Sequence, residues 1–344
     1  MALNQQFADR YPNVFFLEER ASPALQQLLK THGWIHPDES ILSVQKPGEG
    51  NMNVVVRVRT DRQTFILKQA RPWVQKYPQV PAPMERISVE ASFYQWIDRT
   101  AALRAFVPKR IGYDAANFLL ALEDLGNGAD FSFLYQPHQI LPATDRASLV
   151  QFLSVLHTTQ PTGNPSDFPD NRAMRLLNHE HLFNFPFRTD TGFDLDSIQP
   201  GLEALSLSYR NHAALKKKIT ELGDVYLQPG PVLIHGDYYP GSWLSVASGT
   251  KVIDPEFGFF GRPEFDLGVM LAHMKLARQS ELVQQQVLDK YQMPAGFDST
   301  LLRGFIGTEM LRRLLGLAQL PLPLDLTQKK VLLEEATVFV LETV

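Results

Sequence analysis

An α+β fold in two parts is what the sequence predicts: a small antiparallel sheet carrying one helix, then a larger and mainly helical part. Three observations carry this. Residues 41–122 hold short runs in which apolar and polar residues alternate around polar turns, the pattern of half-buried strands. From residue 144 onward apolar residues recur mostly at helical spacing. The chain has 344 residues, about twice the roughly 150 of an average domain.

Met1 to Pro47 reads as a helical cap with no chemistry assigned to it, ending in a short apolar strand, Ile41 to Gln45. Asn53 to Arg59 alternates Val54, Val56 and Val58 against Val55, Arg57 and Arg59. The polar turn Thr60-Asp61-Arg62-Gln63 then leads into Thr64 to Gln69, which predicts a hairpin. Glu85 to Asp98 has helical spacing, with Ile87, Ala91, Tyr94 and Ile97 on one side. Val107 to Gly112 and Phe118 to Leu122 read as two further strands. The boundary between the parts falls near Glu123 to Asp130, giving a first lobe over 1–124 and a second over 125–344. Helices are expected over Thr144 to Gln160, Gly201 to Leu222, Glu264 to Arg278, Glu281 to Tyr291, Leu301 to Leu317 and Thr327 to Glu342. Strands are expected at Val232 to His235 and Lys251 to Ile253. Residues 161–200, rich in Pro, Asn, Asp and Phe, read as a long irregular excursion.

Composition excludes several functions. Hydrophobic residues at 44% and charged residues at 20% are those of a globular protein. The formal net charge of −4 argues against a broad nucleic-acid surface. With no cysteine, disulfides, thiolate metal sites and cysteine nucleophiles are excluded, and a reducing cytoplasm is the expected compartment. No run of ~18 apolar residues predicts a membrane span, and Met1 to Arg20 lacks the apolar stretch of a signal peptide. Leu282-Val283, Val287-Leu288 and Val331-Leu332-Leu333 read as core or as a contact between copies, so a homodimer stays open.

The chemistry-bearing residues cluster at strand ends. One strand runs into His235-Gly236-Asp237, and 17 residues after Asp237 a second runs into Asp254-Pro255-Glu256. Phosphoryl transfer uses such a pairing: one carboxylate orients the acceptor hydroxyl and takes its proton, another holds magnesium on the phosphates. Alone, each acid reads as a turn residue or a helix cap. Together with Gly236 and Phe265-Asp266-Leu267-Gly268 they point to a site. Upstream, Gly48-Glu49-Gly50-Asn51-Met52-Asn53 sits between two strands, where glycines let backbone amides approach phosphates, though an ordinary hairpin turn has the same composition. Lys68 follows by one hairpin, where a phosphate-binding lysine belongs; an edge or snorkelling lysine is the other reading. Glu90 on the next helix either holds Lys68 by an ion pair or lies on a solvated face.

This order of parts resembles the protein-kinase-like fold. His235-Gly236-Asp237, in place of His-Arg-Asp, resembles the aminoglycoside phosphotransferase and choline kinase family, and within it the methylthioribose kinases. The resemblance rests on Gly48 to Asn53, on Leu67-Lys68-Gln69-Ala70 with Pro72, on Leu122-Glu123-Asp124-Leu125, and on His235 to Ser242. Ile253 to Gly261 and Glu309-Met310-Leu311-Arg312-Arg313 with Gly316-Leu317-Ala318 complete it. It implies ATP and magnesium as cofactors and a small hydroxylated acceptor. Asp237 would be the catalytic base, and Asp254 and Glu256 would hold the metal. Gly48, Gly50, Asn51, Asn53, Lys68, Glu90 and the connector Glu123, Asp124 and Leu125 would bind ATP. Asp237, Tyr238, Ser242, Arg312 and Arg313 would serve the acceptor.

Two features bear on the acceptor. Tyr238-Tyr239-Pro240 replaces the Leu-His-Thr of methylthioribose kinases beside the catalytic aspartate. Adjacent helix residues also point ~100° apart, so Arg312 and Arg313 do not both face one site from a regular helix without help. The acceptor implied is methylthioribose or a related pentose. The alternatives are an aminoglycoside- or choline-type acceptor, or a catalytically inactive nucleotide-binding protein. Lys68, Asp237 and Asp254 all being present argues against the last.

Overall fold

The computed structural model describes residues 3–48, 52–159 and 164–343. The chain divides into two compact units, Met1–Gly126 and Asn127–Val344.

The first unit opens with helices α1 (Leu3–Arg10) and α2 (Pro23–Thr31). Pro23 stands at the start of α2, and Ser22 caps it by accepting a hydrogen bond from the Leu25 amide at 3.1 Å. Strands β1 (Ile41–Gln45), β2 (Val54–Thr60) and β3 (Thr64–Gln69) follow. Next come a small hairpin of β4 (Trp73–Val74) and β5 (Tyr77–Pro81), helices α3 (Arg86–Ile97) and α4 (Ala101–Arg104), and strands β6 (Arg110–Asp114) and β7 (Leu119–Glu123). The main sheet is antiparallel with order β1-β2-β3-β7-β6.

The two-residue period of β2 and β3 sorts their side chains. Val54, Val56, Val58, Phe65 and Leu67 join Leu25, Leu29, Trp34, Leu119 and Ala121 in one buried cluster, so the N-terminal extension covers that face. Gln69 shares it, holding the extension through the Leu17 amide and the Phe15 carbonyl. Lys68 points the other way. Gly112 has no room for a side chain, because a Cβ there would lie 1.9 Å from the Trp34 indole nitrogen. The expected strand over 107–112 begins only at Arg110, since Pro108 cannot donate to the ladder.

The second unit contains β8 (Ala129–Asp130), α5 (Ala143–Thr158), α6 (Arg172–His179), α7 (Leu202–Arg210), α8 (Ala213–Leu227), β9 (Val232–Ile234), β10 (Trp243–Val246), β11 (Gly249–Val252), β12 (Phe259–Gly261), α9 (Pro263–Leu276), α10 (Glu281–Lys290), α11 (Ser299–Leu315) and α12 (Leu326–Leu341). Two small sheets, β11-β10-β8 and β12-β9, carry the loops of interest. Helices α9 and α11 are buried on nearly every side, which identifies them as core helices rather than surface amphipathic ones.

Two expectations about this unit need correction. The single helix expected over 201–222 is two, α7 and α8, because His212 caps α8 by accepting from the Leu215 amide at 3.1 Å. The stretch 161–200 is not wholly irregular: it contains α6, a π turn over Glu180–Asn184 and short 3-10 turns. Elements this short leave little periodicity to read.

Candidate active site

In the first unit, strand period and helix placement bring Lys68 and Glu90 together. Lys68 Nζ donates to Glu90 Oε1 at 2.6 Å, and both side chains are almost fully buried. Tyr94 Oη donates to the same oxygen at 3.4 Å from one turn further along α3. An ion pair this deep is held because its groups have nowhere else to satisfy their charge. Asn53 is buried, and its Oδ1 accepts from Arg86 Nε at 2.9 Å. Arg86, fully buried and overlooked in the sequence, also donates to the Met52, Arg71 and Pro83 carbonyls, so it ties the strand-turn to the start of α3. Gly48 is exposed, and among the described residues nothing lies within 4 Å of where a Cβ would stand, while Gly50 and Asn51 lie outside the described residues.

The connector is specialised residue by residue. The Glu123 amide donates to the Lys109 carbonyl at 2.8 Å, so that N–H is committed to the sheet. The Asp124 carboxylate holds Arg57 at 2.8 Å and accepts from the Gly126 amide at 3.0 Å. Among the described residues the Leu125 N–H donates no hydrogen bond.

In the second unit, Asp266 near the start of α9 grips the loop after β9. Its two oxygens accept from the His235 amide at 2.6 Å and the Gly236 amide at 2.9 Å. Gly236 has φ +82°, and a Cβ there would stand 2.2 Å from the Phe257 carbonyl oxygen, so only glycine fits. The His235 ring bridges both carboxylate-bearing turns. Its Nε2 lies 2.9 Å from the Ile253 carbonyl, which only accepts, so Nε2 carries the proton; Nδ1 then accepts from the Asp237 amide at 3.3 Å. Ser242 Oγ donates to the Asp237 carbonyl at 2.9 Å and its own carbonyl accepts from the Ile253 amide at 2.9 Å. These bonds deliver Asp237 and Asp254 from one laced pair of turns.

The Asp237 side chain retains 22% of its exposure, and Arg313 Nη2 stands 3.6 Å from its Oδ1. Burial raises the Asp237 pKa above the ordinary carboxylate value, against the pull of Arg313 and Arg312. Arg313 lies over the Tyr239 ring, 4.9 Å from its centroid. Asp254 takes the left-handed conformation, φ +62°, and Glu256 beside it is buried. Asn171 Nδ2 donates to the Glu256 and Gly258 carbonyls at 3.0 Å each and fixes that turn. Among the described residues no group of three or more acidic or imidazole side chains gathers as a metal site. Two hard carboxylate donors still suit magnesium, which is ordinarily held by one or two carboxylates together with phosphates and water.

Three expectations about the acceptor side change. Tyr238 is fully buried, stacks on Phe152 at 5.8 Å and donates its hydroxyl to the Leu149 carbonyl, so it is core and cannot bind an acceptor; Tyr239 is the tyrosine at the site. Ser242 is buried with its proton committed to the Asp237 carbonyl, so it braces the loop instead of touching an acceptor. Arg312 and Arg313 do converge, through a shared partner. Arg312 Nη1 donates to Glu309 Oε2 at 2.9 Å and Arg313 Nε to Glu309 Oε1 at 2.6 Å. Glu309 sits three and four residues before them, a spacing that puts all three on one helix face and was legible in the sequence.

Residues 43–300 match the model of the phosphotransferase enzyme family, three quarters of the chain. The chain belongs to this family. It is 28% identical over 254 residues to methylthioribose kinase 2 of Oryza sativa subsp. japonica, which covers 70% of this chain and 58% of the rice protein. It is 26% identical over 326 residues to the methylthioribose kinase of Exiguobacterium sibiricum, covering 80% of each. Among solved structures it is similar to choline kinase of Streptococcus pneumoniae, with TM-score 0.52 and 15% identity over 93% of this chain and 99% of that one. A spectinomycin phosphotransferase matches with TM-score 0.52 and 14% identity over 93% of this chain and 97% of that one. The α+β architecture is thus the protein-kinase-like fold of the phosphotransferase family.

Proposed function

We propose that this phosphotransferase moves the γ-phosphoryl group of ATP to a hydroxyl of a small sugar-like acceptor, methylthioribose or a related pentose. The observation that carries the reading is Asp237, raised in proton affinity by burial, standing against Arg313 while Arg312 and Arg313 share Glu309. Asp237 orients the acceptor O–H and takes its proton as the oxygen attacks the γ-phosphorus and the bond to ADP breaks. Arg313 faces the negative charge that develops there. Asp254 and Glu256 would hold magnesium, which when bound neutralises phosphate charge. Lys68, fixed by Glu90, serves the phosphates, and the Leu125 amide meets the adenine.

The methylthioribose kinase relatives favour a neutral sugar, and so does the pair of arginines at the site, which would repel a polycation. The test is coupled ADP release with ATP and magnesium against methylthioribose, other pentoses, choline, homoserine and two aminoglycosides. Turnover concentrated on the sugars is expected. A clear preference for choline or an aminoglycoside would overturn the acceptor and leave the transfer chemistry standing.

A further inference from the structure

Behind the two arginines the second unit buries a file of polar side chains contributed by three separate segments. Tyr135 Oη lies 2.6 Å from His273 Nδ1. His273 Nε2 lies 3.0 Å from Glu309 Oε1. That oxygen also accepts from Arg313 Nε, and Arg313 Nη2 reaches toward Asp237 at 3.6 Å. Tyr135, His273 and Glu309 are 3%, 0% and 0% exposed, so the file is closed to water and each group depends on the next.

The chemistry gives the file a direction. Glu309 is held ionised, since the arginines and the His273 hydrogen bond outweigh the cost of burying it. A carboxylate only accepts, so His273 Nε2 carries the proton. Burial lowers the His273 pKa to about 4, so the ring is neutral and its Nδ1 is an acceptor. Tyr135 therefore donates to His273, and His273 donates to Glu309. The groups facing His273 are Glu309, Arg312, Arg313, Tyr135 and Tyr239, whose ring centroid is 5.2 Å away.

We infer that Tyr135, His273 and Glu309 form a buried strut that sets the distance between the Arg313 guanidinium and Asp237, and are positioning residues for the transfer. The inference rests on the reading of Asp237 as the group that takes the acceptor proton. With Glu309 anchored from behind, Arg313 is held back at 3.6 Å from Asp237, outside hydrogen-bond contact. Released, it would close on Asp237, occupy the acceptor's place and lower the proton affinity of the base.

The experiment measures kcat and both KM values against pH for the wild type, Tyr135→Phe, His273→Gln and His273→Leu. His273→Leu is expected to lower kcat about tenfold, as loss of a supporting hydrogen bond at a site commonly does. KM for ATP stays within about twofold, and the acid limb of kcat/KM for the acceptor moves to lower pH. His273→Gln, with an amide N–H at a similar reach, recovers part of the loss. An unchanged kcat and acid limb in His273→Leu, or an equal fall in kcat and ATP affinity, overturns the strut. Should His273→Leu not fold, Tyr135→Phe, which removes one oxygen, decides by the same criteria.

A second readout needs no turnover. In 15N-histidine spectra of the wild type, His273 is expected as the neutral, Nε2-protonated ring from about pH 8 to about pH 5. A ring that titrates near the ordinary histidine value, or carries its proton on Nδ1, overturns the inference. Inactivity of the wild type toward every acceptor would count against the proposed function, while the spectrum still decides the strut.

Discussion

Asp237, the proton acceptor of the proposed function, has surroundings that suit it to that task. Its main chain is fixed by His235 and Ser242, while its carboxylate keeps some exposure beside Arg313. Asp237→Asn should abolish phosphoryl transfer while leaving ATP affinity within about twofold, read by ADP release and by nucleotide titration. Retained turnover would remove Asp237 from the chemistry. Because burial raises its pKa, the acid limb of activity should lie at higher pH than for an ordinary aspartate. His273 carries a stability consequence of the opposite kind. Its pKa falls from 6.5 to about 4 on folding, so between these values the unfolded chain binds the extra proton. Stability is therefore full above pH 6.5 and is lost as pH falls toward 4, by roughly 3 kcal/mol for this group alone. Denaturant midpoints measured across that window should show His273→Gln losing less than the wild type.

At the scale of elements, the site is made by turns that regular structure aims. Strands β9 and β11 are short, yet Asp266 at the start of α9 and the His235 ring lace their ends together. The first unit shows the same economy in its sheet, where β6 passes so close to Trp34 that only glycine fits at 112. Gly112→Ala should lower stability by ~1–3 kcal/mol through overpacking, measured by chemical denaturation. An unchanged midpoint would show that Trp34 has room to move. The expected strands and long helices were legible because alternation or helical spacing persists over several residues in β2, β3 and α3, while α9 and α11, apolar on nearly every side, stand out as long runs free of interior proline. The break at Asn211-His212 and the helix α6 were missed because caps and two-turn helices perturb that periodicity too briefly to read.

For the whole molecule, the proposed function assigns nucleotide recognition to the first unit and proton transfer to the second, so ATP binding should appear as linkage. At a hundredfold excess over its Kd, ATP with magnesium should stabilise the protein by about 2.7 kcal/mol, read as a rise in Tm. Lys68→Met should lose most of that rise at the same ATP concentration, because it deletes the cation held by Glu90. An undiminished rise would remove Lys68 from the phosphate site. The fold class and the family could be read from the sequence alone, and so could Lys68, Asp237 and Asp254 as candidates for the proposed chemistry. Each sits at a strand or strand end that local periodicity marks. It did not distinguish Tyr238 from Tyr239, since which of two neighbours turns inward depends on Phe152 and Leu149, about 90 positions away. Nor did it place Tyr135 and His273 behind Glu309, because those contacts span 138 and 36 positions. Local spacing encodes which way an element's faces point; which buried polar groups satisfy one another is decided only when those faces pack.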